Sequence, residues 1–93
     1  MARYEMIAIL SPDLETDQID ETIEKIKLTI SNNGGTETEA ELQGRKRLAF
    51  PIRDHLDGNV VLSKFEIDPG KVHDIGVILR QDERCLRNMV VRT

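Results

Sequence analysis

Along the start of the chain the side chains alternate, with Tyr4, Met6, Ala8 and Leu10 on one side and Arg3, Glu5, Ile7 and Ile9 on the other. A period of two marks a β-strand with one face turned to a core. The stretch SPDLETD breaks the alternation and brings capping chemistry, with Thr16 or Asp17 placed to accept a hydrogen bond from the free N–H groups of a helix start. Ile19, Ile23, Ile26 and Ile30 then recur at intervals of four, three and four, which is one stripe of a helix. Glu24, Lys25 and Lys27 take the wet side, and Asp17, Asp20, Glu21 and Glu24 favour the positive end of the helix dipole. The helix stops at Asn32-Asn33-Gly34-Gly35, because asparagine and glycine tolerate the left-handed conformation that closes a helix end.

From Thr36 to about Phe50 the chain is long, polar and partly alternating, with Thr36, Thr38, Ala40 and Leu42 set against Glu37, Glu39 and Glu41. This pattern predicts an edge strand, and Pro51 supports it, since proline donates no ladder hydrogen bond. RDHLDG reads as a loop, with Asp57-Gly58 turning the chain into a third strand from Val60 to Ile67. Asp68-Pro69-Gly70 opens a second helix carrying Val72, Ile75 and Leu79 on one face, and Gly76 permits that helix to approach the sheet closely. Residues 85–92 form the last strand. The order strand, helix, strand, strand, helix, strand predicts an α+β, ferredoxin-like split βαβ fold (βαββαβ): a four-stranded antiparallel sheet with two helices on one face and the first and third strands central. Its length predicts a single domain over residues 1–93.

Such a fold leaves one sheet face uncovered. Val61, Phe65 and Ile67 share the inward parity, whereas Val60 and Leu62 point outward with Lys64 and Glu66 beyond them. Arg87 and Met89 join that outer face if Leu86 and Val90 turn inward, an assignment that Asn88 fits poorly. Val60, Leu62 and Met89 beside Arg87 are the candidate partner-binding patch, because contiguous apolar surface rimmed by charge marks interaction sites. The competing reading is a scatter of ordinary exposed apolar side chains.

Charge sharpens the picture. The net charge of −4 divides unevenly: residues 1–43 hold three cations against ten acids, a net of −7, and residues 44–93 hold ten cations against seven acids, a net of +3. The crossover falls on GRKRLAFPI at 44–52. Arg45, Lys46 and Arg47, with Arg53 nearby, either guard an edge strand against unwanted pairing or neutralise phosphates. Alternation sends Arg45 and Arg47 to one face and Lys46 to the other, unless Gly44 supplies a bulge. Leu48 and Phe50 are assigned to the core. Base stacking on the central strands, as in the single-strand RNA reader of this topology, is not expected, since the outward positions of GNVVLSKF are valine, leucine and lysine.

Other chemistries find little support. No apolar run approaches the roughly 20 residues of a membrane span, the apolar start is too short and strand-like for a secretory signal, and a soluble chain with no membrane partner is expected. Cys85, the one cysteine, reads as a small apolar filler compatible with a reducing compartment. His55 and His73 have no second metal ligand at helical or strand spacing. SPDLETD lacks the glycine nest of an anion-cradling loop, and Ser11 has no neighbouring base. No active site, small-molecule substrate, cofactor or metal is expected.

Three segments in this order, Arg3-Tyr4-Glu5 opening the first strand, GRKRLAFPI at 44–52 and LRNMVVRT at 86–93, resemble the bacterial-type ribosomal small-subunit protein six family over essentially the whole chain. The middle segment is similar to that family's Gly-Arg-Arg-x-Leu-Ala-Tyr-Pro-Ile-like run. The resemblance implies a ferredoxin-like fold, no catalysis, and a structural place in the small ribosomal subunit, in the cytoplasm or, for an organelle-encoded copy, the plastid stroma. It implies binding to the central domain of the small-subunit ribosomal RNA together with ribosomal protein eighteen, as a heterodimer. Arg45 and Arg47 match cations of the family motif, and Arg87 and Met89 match its last strand. With Lys46, Arg53 and Arg92 these arginines make up the expected RNA-binding set, while Val60, Leu62, Met89 and Arg87 make up the expected partner-binding set. Val60 and Leu62 stand where the family often carries bulkier residues, and Phe50 stands in place of the usual tyrosine. The alternative is a stand-alone ferredoxin-like regulatory module that self-associates through its open sheet face.

Overall fold

The computed structural model describes residues 1–93. Its elements run β1 (Ala2–Leu10), α1 (Thr16–Asn32), β2 (Thr36–Ile52), β3 (His55–Ile67), one 3₁₀ turn (Pro69–Lys71), α2 (Val72–Arg80) and β4 (Cys85–Arg92). Every strand pairing is antiparallel and the sheet order is β2-β3-β1-β4, so β1 and β3 are central, as the ferredoxin-like reading expects. Met6, Ala8 and Leu10 of β1 meet Val61, Phe65 and Ile67 of β3 beneath Ile19, Ile26 and Ile30 of α1 and Ile75 and Leu79 of α2, in one continuous core. Tyr4 stacks on Phe65 with ring centroids 6.1 Å apart, within the favourable range for aromatic pairs.

Local chemistry explains the helix boundaries. α1 begins one residue ahead of the expected caps: Glu15 takes the extended backbone of the capping position, and its N–H donates to Gln18 Oε1 at 2.9 Å. Thr16 and Asp17 therefore lie inside the first turn rather than capping it. At the other end Gly34 has φ +88° and the Gly35 N–H donates to Ile30 O at 2.9 Å, closing the helix as the Asn-Gly run predicts. Thr22 and Thr29 are buried because their hydroxyls donate to the carbonyls of Gln18 and Lys25, at 2.8 and 2.7 Å. Asn88 faces α2 after all, where its side-chain amide donates to Gly76 O at 3.2 Å; a Cβ on Gly76 would stand 3.3 Å from Asn88 Oδ1.

The turn between α2 and β4 is tied to α1 by Asp82, which accepts from Lys25 Nζ and from the Arg84 N–H, both at 2.9 Å. Burial works to raise the Asp82 carboxyl, but the Lys25 hydrogen bond, the Arg84 N–H and the two positive charges outweigh it and hold the group below its ordinary value. Cys85 is buried, and that burial, reinforced by the Asp82 charge, pushes its thiol up and leaves it an inert filler. A register shift between Ile9 and Leu10 turns both Cys85 and Leu86 inward.

One buried polar atom lacks a partner. Ser63 Oγ on β3 is fully enclosed and makes no hydrogen bond. An unsatisfied hydroxyl in a core costs on the order of 1 kcal/mol or more, so Ser63→Ala is expected to raise stability by about 1 kcal/mol. Urea unfolding checks this, and a lower midpoint would show that the hydroxyl contributes to the fold.

The β2–β3 hairpin departs most from expectation. Its turn is not Asp57-Gly58 but Arg53-Asp54, whose φ angles of 49° and 66° are both positive, the signature of a two-residue type I′ turn. β2 runs on to Ile52, β3 starts at His55, and Asp57 and Gly58 pair within the ladder with Arg47 and Lys46. Leu42 opposes Val61 and Gly44 opposes Val60, which leaves Gln43 without a partner, while Gly44 takes φ +110°. This is a bulge, and it reverses the side-chain parity of the residues that follow as far as Arg47, before a second irregularity shifts the register again between Arg47 and Ile52. Leu48 and Phe50 are not core residues: they line a surface groove with Ile9 and Met89. They leave the helix side for the open face, and Phe50 is 59% exposed.

Candidate functional site

The open face is built in rows across three strands. Ile7 of β1 is paired with both Leu62 of β3 and Met89 of β4, and the next row is Val60, Ile9 and Arg87. On the other side of the Ile7 row lie Lys64, Glu5 and Val91, with Arg3 held by Glu37 and Glu66 at 2.9 and 3.4 Å. The arrangement is an apolar centre with a charged rim, and it contains all four expected partner-binding residues, Val60, Leu62, Met89 and Arg87. Met89 is 49% and Ile7 38% exposed. Ile7 and Ile9, at the middle of the patch, were missing from the sequence-derived set although their odd parity on β1 marked them.

The hairpin then bends over one end of this face. Gly58 lies so close to β1 that a Cβ would stand 2.5 Å from Ile9 Cγ2 and 3.2 Å from Leu10 O. Leu48, Phe50 and Ile52 thereby reach across to Ile9, Arg87 and Met89, enclosing a groove of about 290 Å³. Arg87 Cζ stands 6.0 Å from the centroid of the Phe50 ring, at the limit of a cation–π contact.

The expected RNA-binding cations divide into groups. Arg45 and Arg47 share the face of their partners Asn59 and Asp57, and Lys46 takes the opposite one with Gly58. Arg45 donates from Nε and Nη2 to Asp57 Oδ2 at 3.3 and 3.1 Å, whereas Lys46, Arg47 and Arg53 make no ion pair. Arg53 sits in the hairpin turn. Arg92 is paired with Tyr4 at the other end of the sheet, five residues beyond Arg87 and so about 17 Å further along β4. It does not join the hairpin cluster. No three histidine, cysteine or acidic side chains gather as metal ligands, and no helix is long and apolar enough to cross a membrane.

Comparison with known proteins gives a consistent result. The family model described as ribosomal protein S6 matches residues 3–92. The small ribosomal subunit protein bS6 of Syntrophomonas wolfei is 37% identical over 93 residues, spanning 99% of this chain and 96% of that protein. The same-named protein of Natranaerobius thermophilus is 34% identical over 92 residues, with 99% and 96% covered. The crystal structure of 30S ribosomal protein S6 from Thermotoga maritima superposes with a TM-score of 0.90 at 19% identity, covering 99% of this chain and 87% of that one.

Proposed function

The chain belongs to the ribosomal protein S6 family, and from that premise we propose that it binds small-subunit ribosomal RNA through its β2–β3 hairpin while the open face of its sheet docks ribosomal protein eighteen. It is a ribosomal protein of the small subunit and not an enzyme. The observation that carries the proposal is the juxtaposition at the hairpin: three unpaired cations beside a continuous apolar surface that no helix of this chain covers and the hairpin overlies at one end only.

The division of labour follows from physics. A guanidinium or ammonium without a carboxylate partner is free to replace the counterions of a phosphate, and each such contact adds to the salt dependence of binding. Arg45 begins neutralised by Asp57, at partial exposure where such a pair is weak, so phosphate competes with that carboxylate for it. The apolar rows of Leu62, Ile7 and Met89 carry no sequence-reading chemistry for RNA, and their burial favours a protein partner. The net −7 of residues 1–43, to which α1 and the first half of β2 contribute, favours a basic one.

Arg45→Ala combined with Arg47→Ala is expected to weaken binding to central-domain RNA carrying ribosomal protein eighteen by about tenfold or more. The slope of log K against log salt should fall by about 2, one unit per cation. Filter binding across a salt series checks both, and unchanged affinity and slope would overturn the hairpin assignment.

A further inference from the structure

We infer that the groove beneath the hairpin accepts one unpaired nucleobase, stacked between the Phe50 ring and the Arg87 guanidinium. This rests on the RNA-binding reading above and adds a site to it, since cations on the hairpin account for phosphate contact without using Phe50.

Phe50 is the only aromatic side chain on the open face, and it is held there with most of its surface exposed. Exposure alone is ordinary for an apolar side chain; what sets Phe50 apart is the unpaired cation facing its ring. The planar guanidinium of Arg87 stands 6.0 Å from its centroid. A flat ring inserted between two planar groups needs two stacking separations of about 3.5 Å, or about 7 Å in all, so a movement of about 1 Å at the long Arg87 side chain admits a base. Ile9, Leu48, Ile52 and Met89 give the slot apolar walls.

Charge selects between the possible occupants. Arg87 is the only charged group lining the groove, and it makes no ion pair. Lys46 shares the face of Leu48 and Phe50, and Arg53 lies at the adjoining turn. A cation inside and cations at the edge fit a base carried on a phosphate backbone, which pairs a π-face with negative charge. A basic protein gains no such charge pairing at this end of the face and is left the rows of Leu62, Ile7 and Val60. Stacking on aromatic and arginine planes is how unpaired bases are held.

The test uses the full chain and two probes: hexaadenylate RNA, which supplies bases and phosphates, and inorganic polyphosphate, which supplies charge alone. With hexaadenylate, the methyl groups of Met89, Ile9 and Leu48 should show upfield ring-current shifts in NMR spectra, and polyphosphate should not produce them. Phe50→Leu, which keeps an apolar side chain at the position, should weaken hexaadenylate binding fivefold or more while leaving polyphosphate binding and the salt slope unchanged. Identical shifts with both probes, or equal hexaadenylate affinity in Phe50→Leu, would overturn the inference. If Phe50→Leu has no effect but the Arg45→Ala, Arg47→Ala variant binds central-domain RNA poorly, the groove fails as a base site and the hairpin function stands. If Phe50→Leu instead weakens binding of ribosomal protein eighteen with no change in RNA binding, the groove belongs to the protein interface and the inference is wrong.

Discussion

Gly58→Val should destabilise the fold by about 2–3 kcal/mol and lift the hairpin from the open face. Even the first carbon of the new side chain would meet Ile9 Cγ2 at 2.5 Å and Leu10 O at 3.2 Å. The first obstacle is the methyl of a β-branched residue with few rotamers to retreat into, and the second is backbone in a central strand. Overpacking of this kind typically costs about 1–3 kcal/mol, and two extra methyls place valine at the upper end. Strain will be relieved where resistance is least, by swinging residues 46–57 outward, because Phe50 and Ile52 are held there by surface contacts alone. Thermal melting measures the cost, and loss of cross-peaks between the Phe50 ring and Met89 measures the displacement. A variant with unchanged melting and intact cross-peaks would mean that the close approach at Gly58 does not seat the hairpin.

Gly44→Val should cost about 1–3 kcal/mol for a different reason. Nothing lies within 4 Å of the Cβ position, so space is not the obstacle, but φ is +110°, a region that side-chain-bearing residues avoid. The strand has two escapes. It can keep the bulge and carry the strain, or flatten it and return Arg45, Arg47, Leu48 and Phe50 to the parity of an unbroken strand, with the cations on the open face and the apolar groups turned away from it. A compensating deletion distinguishes this from general damage. With Gln43 also removed, the substituted position becomes an ordinary strand position opposite Val60, Arg45 stays opposite Asn59, and stability should recover by most of the loss. Urea unfolding of the single and combined variants checks it, and failure of the deletion to rescue would show that the cost of Gly44→Val is not conformational.

Both variants probe the region that was least legible in the sequence. β1, α1 and the core half of β3 could be read directly, because Met6, Leu10, Ile26, Phe65 and their neighbours each obey one uninterrupted period. The topology followed from their order. The outward rows of Val60, Leu62, Arg87 and Met89 followed from the same parity, and Asn88, an apparent exception, proved to be satisfied by Gly76 O. The hairpin resisted because two signals competed. Asp57-Gly58 is a stronger turn signal by composition than Arg53-Asp54, yet the chain reverses at the latter, where two side-chain-bearing residues accept positive φ. Glycine at 44 signals that a bulge can form, but nothing in the sequence shows that it does, and the placement of Leu48 and Phe50 depends on it. Parity is a running count, and each irregularity, at Gly44 and again between Arg47 and Ile52, resets it for the residues that follow. The arginines proposed to meet RNA likewise formed one expected set under the family resemblance, whereas strand geometry separates Arg92 from the hairpin and ties Arg45 to Asp57.

The docking role of the open face is tested most directly at Ile7, which lies between Leu62 and Met89 at the centre of the apolar rows. Its side chain is already 38% exposed, so Ile7→Glu should leave the melting temperature of the isolated chain nearly unchanged. In the proposed heterodimer, however, the carboxylate would be buried against apolar surface without a partner, a cost of several kcal/mol. Sedimentation of the variant with ribosomal protein eighteen should show two separate species where the unaltered chain gives a one-to-one complex; an undiminished complex would contradict the assignment of this face to the protein partner.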